Sequence, residues 1–341
     1  MQRKVQGSLL LLMALVMIIG CTDKNSRADA KKPPEYVFTY AENQAEDYPT
    51  TLAAYHFAEL VYERSDGRIK INVHVAGELG DEVSVVEQLR FGGIDFARVS
   101  IMTVGDFVSQ INVLQLPYLF RDSEHMWSVL NGAIGQEFMD CLEESQIKGL
   151  SWYDAGSRSF YLTGPIVGIT DLKGKHIRVA KSTLMEDLVT ALGAIPHAMD
   201  YGDVYSALER HVIDGAENNW PSYDSTDHYK VAPYMMLDSH NRIPELQMMS
   251  LVTWQKLSEK DREIIKECAL ESSRYQQELW KQREQRSRRK VEESGVITVE
   301  LTEKELQKFR DAVIPIYEKY GAGYEEYIRR IQEEISKEIP K

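Results

Sequence analysis

Apolar and polar side chains alternate strictly in Ile69-Lys-Ile-Asn-Val-His-Val75, which reads as a strand with one buried face. Ahead of it, Tyr36-Val-Phe-Thr-Tyr40 reads as another strand, running out through Ala41-Glu42-Asn43 into a polar loop that ends at Pro49. Between the two, Leu52, Tyr55, Phe57, Leu60 and Val61 keep roughly helical spacing behind Thr50 or Thr51 as a cap, and Asp66-Gly67 supplies the turn. The pattern then repeats. After Glu78-Leu-Gly80-Asp81-Glu82, the positions Val83, Val86 and Leu89 predict a second helix, and 94–100 predicts a third strand. Strand and helix in alternation predict an α/β fold with open sheets, whose ligands sit outside the carboxyl ends of the strands.

Further along, Val113-Leu-Gln-Leu-Pro-Tyr-Leu-Phe120 leads to a helix capped by Asp122 or Ser123 and buried through Met126, Trp127 and Leu130. The centre of the chain, 152–221, is a series of short apolar runs punctuated by turns. Leu150-Ser-Trp-Tyr153 is followed by the turn Ala155-Gly156-Ser157 and then Arg158. Asp171-Leu-Lys-Gly174 is turn chemistry, after which Ile177 and Val179 begin a strand that carries Arg178. Tyr201-Gly-Asp-Val-Tyr205 opens a helix within 199–210. Val212-Ile213 then leads into Asp214-Gly-Ala-Glu-Asn218-Asn219-Trp220-Pro221, a strand-like run broken by a turn and ended by the restriction that Pro221 places on Trp220.

Beyond that centre, 247–252 reads as a strand, and 258–294 contains neither Pro nor Gly. There Ile264, Cys268, Tyr275 and Leu279 recur near helical period as far as Trp280, after which the segment is almost wholly charged. A helix apolar in one half and polar in the other is expected to leave a lobe and span solvent-exposed surface. Thr302-Glu-Lys-Glu305 is a capping box for a further helix with Phe309, Val313, Ile316 and Tyr317 as its stripe.

Composition narrows the class. With 341 residues, 43% hydrophobic and 27% charged, the chain can bury a sizeable core and is long enough for two lobes. A formal net charge of −13 and the lack of a clustered basic face argue against a nucleic-acid partner. Arg3-Lys4, the apolar run 9–19 and Ile18-Ile19-Gly20-Cys21 have the form of an export signal with a lipoprotein cleavage site, so 1–20 is expected to be removed and Cys21 to carry the lipid. The alternatives are an ordinary signal peptide or an uncleaved anchor. Residues 21–34, polar and closed by Pro33-Pro34, then form a tether. Without Arg3 and Lys4, from 40 Lys+Arg against 53 Asp+Glu, the mature charge is about −15. Cys141 and Cys268 lie in helix-like patterns and read as buried free thiols; no metal-ligand spacing of Cys and His occurs.

The candidate chemistry is anion capture. A guanidinium matches a carboxylate bidentately, and an Asn amide both donates to and accepts from sugar hydroxyls. Arg158, Arg178, Asn218 and Asn219 are expected at the ends of neighbouring strands, although singly each has an ordinary reading as a surface ion pair or turn residue. The rule for open sheets adds Asn43 after the first strand, 80–82 before a helix, and Arg98 with Ser100 at the end of the third strand. Glu82 suits hydroxyl recognition and equally suits the first turn of a helix; Arg98 is a third anion contact or a charge on the lobe surface. Glu82, Asp154, Asp214 and Glu217 could supply a carboxylate pair for glycoside chemistry, but no nucleophile elbow and no dinucleotide fingerprint is present. Capture without catalysis is the reading the residues support.

Gly156-x-Arg158, Asp171-Leu-Lys-Gly-x-x-Ile-Arg178-Val, Leu192-Gly-Ala-x-Pro196, Val204-Tyr-x-Ala-Leu208 and Val212-Ile-Asp-Gly-x-Glu-Asn218, in that order, resemble the substrate-binding proteins of TRAP transporters over roughly 36–335. Tyr40-Ala-Glu-Asn43 and Asn218-Asn-Trp-Pro-Ser-Tyr223 look closest to the sugar-acid receptors among them. The resemblance implies two lobes around a ligand cleft, the first from 35–155 with a return through 244–280, the second 156–243, and a long spanning helix with C-terminal helices over 281–341. It implies an extracytoplasmic receptor that closes on a hexuronate such as glucuronate or galacturonate and delivers it to TRAP membrane subunits, with no cofactor and no metal. The expected form is a monomer held to the membrane through its lipid. In that scheme Arg178 takes the carboxylate, Arg158 a second edge or a hydroxyl, and Asn43, Glu82, Ser100, Asn218 and Asn219 the hydroxyls. Tyr201 matches a position where an aromatic ring lines the pocket; Trp220 could serve similarly, and Lys181 matches another contact position. The runner-up ligand is a dicarboxylate clamped by two arginines.

Overall fold

In the computed structural model, which describes residues 33–335, eleven strands form two sheets. They are β1 (Tyr36–Ala41), β2 (Ile69–His74), β3 (Phe96–Ser100), β4 (Ile147–Tyr153), β5 (Ser157–Leu162), β6 (His176–Val179), β7 (Ile195–Ala198), β8 (Gly215–Asn218), β9 (Tyr234–Arg242), β10 (Glu245–Ser250) and β11 (Ile297–Glu300). The first sheet has the order β2-β1-β3-β10-β4 and the second β11-β9-β5-β8-β6-β7. In the first, β1 pairs parallel with β2 and β3, while β10 runs antiparallel to β3 and β4. In the second, β6, β7 and β8 are parallel, and β5 lies antiparallel to β8 and β9. Both are mixed sheets: β5 and β10, which follow the two short crossings of the chain, enter antiparallel, while β11, reached through the long helix, pairs parallel with β9.

The chain crosses between sheets at 154–156 and again at 243–244. The first crossing is tightly made. Gly156 adopts φ +63, and a Cβ there would stand 2.5 Å from Glu284 Oε1 and 3.0 Å from Trp280 Nε1, so the turn requires glycine. Gln276 holds both sides of the preceding peptide, accepting from the Asp154 amide at 2.8 Å and donating to its carbonyl at 2.8 Å. Central β3 and β10 are buried along their whole lengths, as strands covered on both faces must be.

The helix Glu259–Glu293 has the predicted length, with Ser258 accepting from the Asp261 amide as its N-cap. Its first half buries Ile264, Ile265, Cys268 and Ala269 against the first sheet. Its second half is largely exposed, as expected, but one stripe is not: Arg283, Ser287 and Val291 are buried. The reason is a polar seam at four-residue spacing. Ser287 donates to Asp224 at 2.7 Å, and Arg283 donates to Ser287 and pairs with Asp47 at 3.0 Å, which hydrophobic periodicity cannot register.

Other local expectations are corrected. The helix Pro49–Arg64 starts with Pro at its first position, so Tyr48 occupies the N-cap site, and the hydroxyls of Thr50 and Thr51 are left buried without partners. Val212-Ile213 lies in a bend outside any strand; β8 begins only at Gly215. Pro221 does not end the run: Asn219 caps the helix Trp220–Ser225, where proline is tolerated in the first turn. The single C-terminal helix is broken at Val313 into Glu303–Ala312 and Ile314–Tyr320, with Pro315 in the first turn of the second. Cys268 is buried, Cys141 half-buried, and both are free. The expected leader, Cys21 and most of the expected tether lie outside the described residues.

Candidate functional site

Strand register brings the central polar residues together. Ile177 and Val179 of β6 are buried in the apolar core, so Arg178 between them takes the opposite face, beside Ala216 of β8. On the other side of β8, Ser159 of β5 pairs with Asn218. Arg178 is buried, and its Nε and Nη2 donate to the Met199 carbonyl at 3.1 and 2.8 Å. Nη1 has no protein hydrogen bond, and no carboxylate among the described residues pairs with this guanidinium. Burial without an ion pair holds its pKa below the usual arginine value despite the more distant Glu217.

Arg158 is placed differently from its expected role. Its Nε and Nη2 reach Glu217 at 2.5 and 2.9 Å, and Nη1 donates to Asn218 Oδ1 at 3.0 Å. Its charge is therefore matched within the protein and its geometry orients Asn218. A clamp of two free arginines on two carboxylates is not what the second sheet offers. Asn219 spends its Oδ1 on the Ser222 amide at 2.8 Å as a helix cap, and its side chain still lines the cavity.

Arg98 is not a surface charge. Only 2% of its side chain is exposed, and it lies among three carboxylates. It pairs with Glu42 through Nε and Nη2, with Glu82 at 3.2 Å and with Glu245 at 2.9 Å, and its Nη2 also donates to Asn43. Burial alone would lower its pKa, but Glu42 and Glu245 hold it well above the ordinary value. Glu82 accepts from Asn43 at 2.9 Å, the Ser100 amide at 3.2 Å and Thr103 at 3.1 Å, and Ser100 caps the short helix that follows β3. Sequence reasoning thus finds the members of the cluster in Asn43, Glu82, Arg98 and Ser100, but their bonds to one another are invisible to it.

These residues from both sheets line one cavity, with Arg158, Arg178, Asn218 and Asn219 on one wall and Asn43, Glu82, Arg98, Ser100 and Glu245 on the other. It continues outward into a space of about 430 Å³ lined by Tyr201, Lys181 and the loops around Gly80 and Gly202. Lys181 bridges Asp200 at 2.7 Å and Asp81 at 3.5 Å, tying the second lobe to the first at the mouth. Among the lining residues that escaped the sequence reading are Tyr48, Thr50, Glu245 and Trp280. Thr50 Oγ1, Tyr201 Oη and Trp280 Nε1 are buried polar atoms without a protein partner. Three such groups beside one cavity are what a hydroxylated ligand would satisfy. Trp220 lies elsewhere, under Arg288 and against Tyr223. The four carboxylates considered for catalysis are scattered: Asp154 sits at the crossing, Asp214 accepts from the His176 amide at the far end of β6, and Glu217 is held by Arg158.

Behind Arg158, Glu217 is also 3.5 Å from His240, which is 2.7 Å from Asp238. Burial alone would raise Glu217, but Arg158 and His240 bring it down to about 2; burial alone would lower His240, but Asp238 and Glu217 bring it up to about 9. The signs fix a window. The Glu217 contribution is present above its unfolded value of 4.5 and lost as pH falls toward about 2, while that of His240 is full below 6.5 and lost as pH rises through about 9. Melting temperature is expected to fall between pH 6.5 and 9 more steeply in the wild type than in His240→Gln; equal slopes would remove His240 as the cause.

Comparison with known proteins supplies a frame for this cavity. Residues 40–323 match the family described as bacterial extracellular solute-binding protein, family 7. A solute-binding protein of Chromohalobacter salexigens is 37% identical over 274 residues, covering 80% of this chain and 81% of that one. A C4-dicarboxylate-binding protein of Bacillus subtilis is 31% identical, covering 88% and 86%. Among solved structures, a TRAP periplasmic solute-binding protein of Pseudomonas putida F1 with bound D-glucuronate aligns with TM-score 0.86 at 35% identity, covering 89% of this chain and 99% of that one. One from a Bradyrhizobium species in complex with galacturonate aligns at 0.84 and 37%, covering 86% and 99%.

Proposed function

The chain belongs to the bacterial extracellular solute-binding proteins of family 7, the receptors of TRAP transporters, and from that premise we propose that its cleft captures a hexuronate and hands it to TRAP membrane subunits. The observation that carries the ligand class is the charge match of the three buried arginines of the cavity. Arg158 is neutralised by Glu217, Arg98 is surrounded by Glu42, Glu82 and Glu245, and Arg178 alone lacks a carboxylate. One unpaired guanidinium accommodates one anionic group. A sugar acid with a single carboxylate fits that arithmetic, with the partnerless hydroxyls, the Trp280 indole and the side chains of Asn43, Glu82, Ser100, Asn218 and Asn219 directed to its hydroxyls. A C4-dicarboxylate would bring a second charge against the acidic wall, even though one relative is described as binding it. The solved neighbours with glucuronate and galacturonate support the same choice.

Magnitude requires the hydroxyl contacts. Micromolar affinity needs about −8 kcal/mol, while a charge-assisted hydrogen bond nets roughly 1.5–3. A mature charge near −15 repels an anion at long range, so capture depends on this local guanidinium. The ligand contacts both walls and therefore stabilises the closed arrangement. The family is one of receptors, and no reaction is assigned. The division into lobes at 155/156 and 243/244, the monomeric state and anchoring through a lipidated Cys21 complete the proposal. For the anchor, support comes from Gly20-Cys21 after an apolar run.

A thermal-shift screen of protein lacking 1–29 tests the ligand. D-Glucuronate or D-galacturonate at a hundred times its dissociation constant is expected to stabilise by about 2.7 kcal/mol. Succinate and D-glucose are expected to leave the midpoint in place. A shift with succinate alone would overturn the hexuronate and favour the dicarboxylate.

A further inference from the structure

Around Arg98 the donors are unevenly shared. Glu42 accepts from Arg98 Nε and Nη2 and from the Gln44 amide. Glu82 accepts from Asn43, Arg98, the Ser100 amide and Thr103. Glu245 accepts only from Arg98 Nη1, through Oε2, and that nitrogen is already shared with Glu82. Its other oxygen, Oε1, has no hydrogen-bond partner among the described residues, and the residue lines the ligand cavity. Three ionised carboxylates on one buried guanidinium would leave two uncompensated charges. One proton relieves half of that excess, and it goes to the carboxylate with the fewest donors. The charged and titratable groups facing Glu245 are Arg98 on β3, Glu42 beyond β1, Glu82 at its helix start, Tyr48, Arg158 on β5 and its register partner Tyr153 on β4. Neither tyrosine carries charge at neutral pH and Arg158 is already matched by Glu217, so Arg98 is the cation that pairs with the three acids.

We propose that Glu245 enters the bound state as a carboxylic acid, donating through Oε1 to an oxygen of the sugar acid, so that capture of the anion takes up one proton from solvent. The inference rests on the hexuronate reading. Bond and charge balance are simple: a carboxylate, a proton and a monoanionic ligand give a complex in which the new proton lies between Glu245 and a ligand oxygen that accepts it. The electrostatics of the empty site point the same way. Burial pushes the Glu245 carboxyl up to about 7, with Arg98 opposing and Glu82 and Glu42 adding to the shift. A bound anion raises it further. Ligand affinity is therefore highest below neutrality and falls as pH rises above about 7.

Calorimetric titration with D-glucuronate in buffers of different ionisation enthalpy reads the proton directly. Uptake is expected to approach one proton per ligand at pH 8 and to vanish near pH 5.5, and affinity to fall toward tenfold per pH unit above pH 7.5. In Glu245→Gln, which keeps a donor at the same place, both the uptake and the pH dependence should disappear. Glu245→Asp, which keeps a titrating group, should retain uptake. Binding by the wild type without uptake at pH 8, or equal uptake in Glu245→Gln, overturns the proton role and leaves the hexuronate receptor standing. Absence of binding by glucuronate and galacturonate at every pH overturns both.

Discussion

Arg178→Ala is expected to weaken hexuronate binding by roughly two to three orders of magnitude while leaving the melting temperature of the empty protein within a few degrees of wild type. The loss follows from removing one partner of a buried, hydrogen-bonded charge pair, which costs about 2–5 kcal/mol. The unchanged empty protein follows from what Arg178 does before ligand arrives: it holds no carboxylate, and its protein bonds go to the Met199 carbonyl. Its removal orphans one acceptor and, with opposite sign, deletes an uncompensated buried cation. Calorimetry against glucuronate and a thermal melt without ligand separate the two effects. A large fall in the empty melting temperature with affinity retained would make Arg178 a structural residue. Arg178→Lys is a useful partner variant, because it keeps the charge and loses the planar fork.

Much of the frame around Arg178 is legible in the amino-acid sequence. Alternation marks 69–75, the Asp-Leu-Lys-Gly turn places Arg178 on a strand, and a run without Pro or Gly gives the helix Glu259–Glu293 to within a residue. The carboxyl-end rule also picks Asn43, Glu82, Arg98 and Ser100 from strands whose ends meet the cavity. Pairing is what sequence does not carry. Arg158 and Arg178 look alike as residues; only the fold puts Glu217 on one and leaves the other unmatched. Glu245 escapes the sequence reading because it belongs to a strand from the far side of the chain, 147 positions from the guanidinium it touches. The buried polar seam of Arg283 and Ser287 escapes it for a related reason: hydrophobic periodicity reads apolar faces, and that interface is made of hydrogen bonds.

Arg98→Met is expected to produce the largest stability loss of any single substitution in the cleft. Replacing the guanidinium with an apolar side chain leaves Glu42, Glu82 and Glu245 facing one another with their shared counter-charge gone. Breaking a buried pair from one side costs about 3–5 kcal/mol, roughly a 5–8 °C fall in melting temperature for a chain of this size. The loss should also depend on pH with a definite sign. Buried carboxylates without a cation have raised pKa values, so the unfolded chain releases its protons first as pH climbs above about 4.5, and the deficit relative to wild type grows from there toward pH 8. Melts of both proteins at pH 5 and pH 8 measure it. A deficit of equal size at the two values would mean that lost packing, and not the carboxylates, carries the effect. Arg329→Met is the matched control. Its pairs with Glu326 and Glu333 are exposed, and removing them should leave the melting temperature in place. The contrast isolates burial as the variable: the same guanidinium is dispensable on the exposed face of the helix Glu325–Glu333 and is the counter-ion on which the acidic wall of the ligand cleft depends.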